Sequence, residues 1–169
     1  MLPAAVSAIA LGLLGAAGVA KTIDPVPTGG ALRAARLPSQ PWSVRLLGGT
    51  EVAASIVGLA FGGPWVSGAA LLYLGFLTFT WLALRNVVPV QSCGCFGRED
   101  TPPSWIHVGY NLAGLIALVS VVVGDGSPIP WDAPMVEAAL YLAYAAVGSF
   151  VSYLLLARLP NNLAATTPR

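Results

Sequence analysis

The chain has 169 residues, of which 56% are hydrophobic and only 9% charged, with a formal net charge of +1. Soluble domains carry about 25% charged residues, so this composition excludes a soluble globular protein and describes an integral membrane protein. No basic cluster lies on a hydrophilic element, which excludes a nucleic-acid-binding role.

Five apolar spans follow one another, at residues 2–20, 43–61, 64–88, 104–123 and 133–157. Crossing the hydrocarbon takes about 20 apolar residues in a helix. The first two spans are near that lower limit, and the third and fifth are long enough to tilt. The predicted fold class is therefore all-α, a polytopic bundle of about five transmembrane helices. Residues 1–160 form one domain and residues 161–169 a short tail that reads as disordered after Pro160.

The first span has no positive segment ahead of it and Lys21 directly after it, which is helix chemistry rather than signal-peptide chemistry. Its residues Ala8, Gly12, Ala16 and Ala20 make a ridge of small side chains at spacing four, suited to close helix contact. Residues 22–41 contain Asp24-Pro25, Pro27, Gly29-Gly30, Pro38 and Pro41 and read mostly as turn and loop, with 32–37 as a short interfacial turn of helix. In the second span stands Glu51. A carboxylate in the membrane is costly and marks a candidate site with a partner nearby, and Lys21 is the natural partner because its long side chain reaches inward. Two roles stay open for Glu51: a structural ion pair between helices, or proton handling.

Pro64 fits the first turn of the third span, and Pro89 its end. Beyond it lies the most informative segment of the chain, Ser92-Cys93-Gly94-Cys95-Phe96-Gly97, which contains both cysteines. A bridge between positions i and i+2 closes almost no loop, so it does not serve as a staple. Gly94 lets the backbone adopt the angles a tight ring needs, and strain in such a ring raises its reduction potential. A close thiol pair either exchanges a disulfide with a partner or holds a soft ion such as Cu(I) or Hg(II); the remaining alternative is two incidental free cysteines, as in a non-catalytic membrane scaffold that recruits an enzyme. A metal transporter needs further soft ligands, and the chain offers only Met1, Met135 and His107.

In the fourth span His107 and Asn111 are four residues apart and share a helix face. His107 can handle a proton near the thiols, or the two residues can be a hydrogen-bonded polar pair inside the bundle. Gly109, Ala113 and Ala117 form a second small-residue ridge, and Gly124 fits the helix end. Asp132 reads as an N-cap of the fifth span, with Pro134 in the first turn. Glu137, Tyr141 and Tyr144 form a polar stripe, either interfacial or lining a cavity for a quinone head group.

Lys21, Arg33, Arg36 and Arg45 flank the first connection, Arg85 and Arg98 the third, and Arg158 and Arg169 follow the last span. The second and fourth connections have none. The positive-inside rule then puts the N-terminus outside a bacterial cell membrane, and the C-terminus and the Cys93/Cys95 loop in the cytoplasm.

The combination of Ala20-Lys21-x-x-Asp24-Pro25, Glu51, Ser92-Cys93-Gly94-Cys95-Phe96-Gly97 and Asn111 resembles the MauE (methylamine-utilisation protein E) branch of the MauE/DoxX redox-associated membrane proteins, in an order that covers nearly the whole chain. The resemblance implies a multi-pass protein, with a four-helix DoxX-like core as a variant of the bundle. It works beside a thioredoxin-like partner, as a thiol–disulfide oxidoreductase or an accessory subunit of one. MauE proteins are implicated in processing or maturation of the exported, disulfide-rich small subunit of methylamine dehydrogenase. Carried over, Cys93 and Cys95 are the redox pair, while Lys21, Glu51 and Asn111 support the bundle or a proton path beside Gly94, Phe96 and Gly97 of the motif. Cytoplasmic thiols are kept reduced, whereas an exported client favours an outward-facing pair. Two cysteines do not relay electrons across a membrane, so a quinone, a haem or a partner is needed as acceptor.

Overall fold

Each long apolar stretch of the chain is helical in the computed structural model, because backbone polar groups inside a bilayer must be satisfied within their own segment. The structure describes residues 2–88, 90 and 102–166, with side chains for 3–88, 90 and 102–156. The elements are α1 (Leu2–Ile23), α2 (Val26–Ala34), α3 (Pro41–Phe61), a 3-10 turn (Gly63–Val66), α4 (Ser67–Leu84), α5 (Trp105–Val123) and α6 (Met135–Thr166). The described residues contain no strand, and five helical segments are long and apolar enough to cross a membrane.

The bundle is organised around α1, which packs against α3, α5 and α6. Leu11 and Leu14 of α1 meet Val66, Ala69 and Tyr73 of the turn and α4, and Leu118 and Val121 of α5, in the apolar core. Three neighbours also bond to one turn of α1. Ser55 Oγ of α3 donates to Leu11 O at 2.7 Å, and Tyr73 Oη of α4 donates to Ala10 O at 2.8 Å. Ser149 Oγ of α6 shares its proton between Ile9 O at 2.9 Å and Ala145 O at 2.7 Å. Apolar attraction between helices is weak in lipid, so such bonds and close backbone approach hold the helices together.

The closest approach is between α1 and α3. A Cβ on Gly18 would lie 2.6 Å from Gly48 O, and a Cβ on Gly48 would lie 2.6 Å from Gly18 O. At the end of the bundle where α3 turns into α4, Gly62 has φ +64°, and Gly63 N donates to Gly126 O at 2.7 Å. This ties the turn to the α5–α6 connection, and Trp131 Nε1 adds a bond to Leu59 O at 2.9 Å. The opposite end carries α2 and the connection from α4 to α5, together with Lys21, Arg33, Arg36, Arg45 and Arg85.

Several boundaries differ from the sequence expectation. Helix α1 continues past Ala20 to Ile23, because Lys21 is buried against α3 rather than solvated. Residues 26–34 are helical, not loop: Pro27 sits in the first turn, where its missing N–H costs nothing, and Pro27, Thr28, Gly29 and Ala31 are buried. Pro64 opens a 3-10 turn ahead of α4. Helix α6 starts at Met135 with Pro134 O accepting from Glu137 N and Ala138 N, so the cap is Pro134 and not Asp132. It runs past Pro160 to Thr166, since a proline in a long helix removes a bond without ending it. Of the ridge on α5 only Ala117 is buried: Gly109 and Ala113 are exposed, and Gly114 instead packs on the Tyr73 ring. On α1, Gly12 meets Ser149 of α6 and Ala8 is buried, but Ala16 is exposed.

Candidate functional site

The contact between Gly18 and Gly48 positions the most polar element of the core. Lys21 stands three residues after Gly18 on α1, and Glu51 three residues after Gly48 on α3, so the two side chains flank that contact. Lys21 Nζ donates to Glu51 Oε2 at 2.8 Å, with the side chains only 3% and 0% exposed. The ammonium also lies 5.3 Å from the centroid of the Phe76 ring on α4, a cation–π distance. Glu51 Oε1 is buried with no hydrogen-bond partner among the described residues. Such an atom costs about 1–3 kcal/mol unless something satisfies it.

Beside this ion pair is a cavity of about 50 Å³ between α1, α4 and α5. Its apolar wall includes Leu14, Ala17 and Phe76, and its polar lining comes from Lys21, His107 and Asn111. His107 is buried, and its Nδ1 is hydrogen-bonded at 2.8 Å to Ser104 Oγ, just ahead of α5. The other ring nitrogen, Nε2, is buried without a partner among the described residues. Asn111 Nδ2 lies 3.5 Å from Thr80 Oγ1, a long hydrogen bond to a hydroxyl that itself donates to Phe76 O. A second, apolar chamber of about 220 Å³ lies under α2 and shares Lys21 and Phe76 with the first, so Lys21 stands between the two.

The predicted partnership of Lys21 and Glu51 is thus present, and His107 and Asn111 share one cavity with Lys21. Sequence reasoning missed Ser104, Tyr73, Phe76 and Thr80. Only Ser104 left a signal, as a hydroxyl three residues before His107 at a helix start. The Glu137/Tyr141/Tyr144 stripe does not join the site: Glu137 and Tyr144 are exposed on α6, and the two tyrosine rings are 6.2 Å apart. Among the described residues no cluster of three or more His, Cys, Asp or Glu is arranged for a metal ion.

Cys93, Gly94, Cys95, Phe96 and Gly97 lie outside the described residues. The helices they connect end on the side of the bundle that holds Lys21 and His107. There Trp81 of α4 and Trp105 of α5 meet edge to face at 5.5 Å, and the Arg85 guanidinium lies 4.8 Å from the Trp81 ring.

The family model for methylamine utilisation protein MauE matches residues 1–125. The match takes in α1 to α5, the ion pair, the cavity residues and both cysteines, and it stops before α6. No curated protein and no solved structure matches the chain. A match over most of the sequence, on a bundle of five membrane-crossing helices, makes this chain a multi-pass membrane protein that belongs to the MauE family.

Proposed function

We propose that the protein is a membrane-embedded thiol–disulfide exchange protein in which Cys93 and Cys95 react with a thioredoxin-like partner during maturation of an exported, disulfide-rich client. For the family's namesake process that client class includes the small subunit of methylamine dehydrogenase. The observation that carries the reading is the placement of the polar cavity. Lys21, His107 and Asn111 lie in the half of the bundle from which the segment with both cysteines emerges between α4 and α5.

With the pair oxidised, a partner thiolate attacks one of its sulfurs and the other leaves as a thiolate. The second partner thiol then displaces the mixed disulfide. Two electrons pass from the partner dithiol to Cys93 and Cys95, and the protons lost by the partner thiols are taken up by the new ones. Re-oxidation requires a two-electron acceptor, for which a membrane quinone is the proposed class.

Cys93→Ser and Cys95→Ser are each expected to abolish exchange, and one of them to accumulate a reductant-sensitive adduct with a thioredoxin-like protein on a non-reducing gel. Wild-type exchange in both variants sinks the reading. The proposed orientation follows the basic residues, with the cysteine loop cytoplasmic in a bacterial cell membrane, from which an exported client is served only by electrons passed across the bilayer through the acceptor. A membrane-impermeant maleimide is then expected to label the cysteines only after spheroplasts are lysed, and labelling of intact spheroplasts would reverse that orientation.

A further inference from the structure

We infer that the cavity between α1, α4 and α5 is a hydrated proton-transfer site, in which bound water joins the Glu51–Lys21 pair to His107. Three observations on separate helices converge on it. The cavity is polar on one side, with Lys21 from α1 and His107 and Asn111 from α5 in its lining. Its volume of about 50 Å³ exceeds the roughly 10–15 Å³ needed to hold a water. His107, which lines it, and Glu51, which reaches it through its bond to Lys21, each have one buried atom, Nε2 and Oε1, with no hydrogen-bond partner among the described residues. A cavity lined only by Leu and Phe stays dry, whereas one that offers water two to four polar partners fills.

The titratable groups that face the site are few. Helix α1 gives Lys21 and α3 gives Glu51. Helix α4 gives Tyr73, whose hydroxyl is committed to Ala10 O. Helix α5 gives His107 and Tyr110, and from α6 the lining residue is the apolar Leu156. The imidazole is bonded through Ser104 toward the start of α5. A proton entering there makes His107 an imidazolium. Passing through water from Nε2 to the Glu51 carboxylate, it leaves a neutral imidazole, a carboxylic acid and an unchanged Lys21 ammonium. The reverse path returns it, and no electron moves.

The site stands apart from the thiol chemistry, because its test reads water and imidazole rather than disulfides. His107 is the single histidine of the chain, so the full-length protein in lipid bilayers, labelled with ¹⁵N-histidine, gives one set of imidazole signals. The expected result is an exchange cross-peak between Nε2 and slowly exchanging internal water in the unmodified protein. Glu51→Gln and Lys21→Met change the charge at the far end of the water chain in opposite senses and are expected to displace the His107 signals in opposite directions. Asn111→Leu, which removes one polar partner of the water and preserves volume, is expected to weaken the cross-peak while the signals of Nδ1 and its bond to Ser104 persist. An unmodified protein with no water cross-peak overturns the proposal without recourse to any variant. So do His107 signals that stay the same in both charge variants.

Discussion

Replacing Glu51 by alanine is expected to destabilise the folded protein by about 3–5 kcal/mol, because it strands the Lys21 ammonium in the core without its counter-charge. Lys21→Ala is expected to cost a similar amount for the mirror-image reason. The double variant Lys21→Met/Glu51→Leu should recover most of the loss, since replacing both members of a buried pair by apolar groups removes the desolvation penalty along with the attraction. Equilibrium unfolding in a denaturing detergent measures all three. The prediction follows from exposures of 3% and 0% at the two side chains and from a contact of 2.8 Å. A surface pair would be worth only about 0–1 kcal/mol and would fade with salt. If Glu51→Ala unfolds within about 0.5 kcal/mol of the unmodified protein, the size of an ordinary surface effect, the pair does not hold α1 to α3.

Gly48→Val is expected to be worse still. The added Cβ would lie 2.6 Å from a backbone carbonyl, that of Gly18, and 3.1 Å from Lys21 Cβ. No side-chain rotation relieves a clash with backbone, so the two helices must move apart. Overpacking alone costs about 1–3 kcal/mol, and separation also lengthens the Lys21–Glu51 bond, so the total should exceed the cost of losing the ion pair. Gly18→Val meets the same obstacle from the other side, with Gly48 O at 2.6 Å. Gly49→Ala is the control: nothing lies within 4 Å of its Cβ position, and an alanine there should be neutral or stabilise the helix by about 0.5–1 kcal/mol. Unfolding that treats Gly48→Val and Gly49→Ala alike would show that the close approach is not a determinant of the fold.

The spans were legible because hydropathy over about 20 residues is a coarse and robust signal. So was the link between Lys21 and Glu51, since each charge in the membrane has few partners to choose from. Which side of a helix faces its neighbours was not legible. Gly109 and Ala113 have the spacing of a packing ridge and yet face outward, because lipid is as apolar as a helix neighbour and leaves no pattern to read. Helix α2 was missed because Pro25, Pro27, Gly29 and Gly30 are turn residues by composition, whereas its helicity depends on burial against the rest of the bundle. The cavity was half legible: His107 and Asn111 were on the page, but Tyr73 and Phe76 entered only when α4 was set beside α1. For the cysteines the sequence remains the whole of the argument.

The ion pair has a consequence for how the chain enters the membrane. A lone ionised Glu51, in the middle of α3, opposes insertion of its own span by an amount on the order of 2.5–3.5 kcal/mol. Once the two are bonded, the core of the hairpin formed by α1 and α3 holds a neutral pair instead of a lone carboxylate, and the glycine contact lets it close tightly. Biogenesis should therefore favour release of these two helices together rather than one at a time. Residues 24–40 between them would act as the hinge of a single inserted unit, onto which α4, α5 and α6 are added as synthesis proceeds.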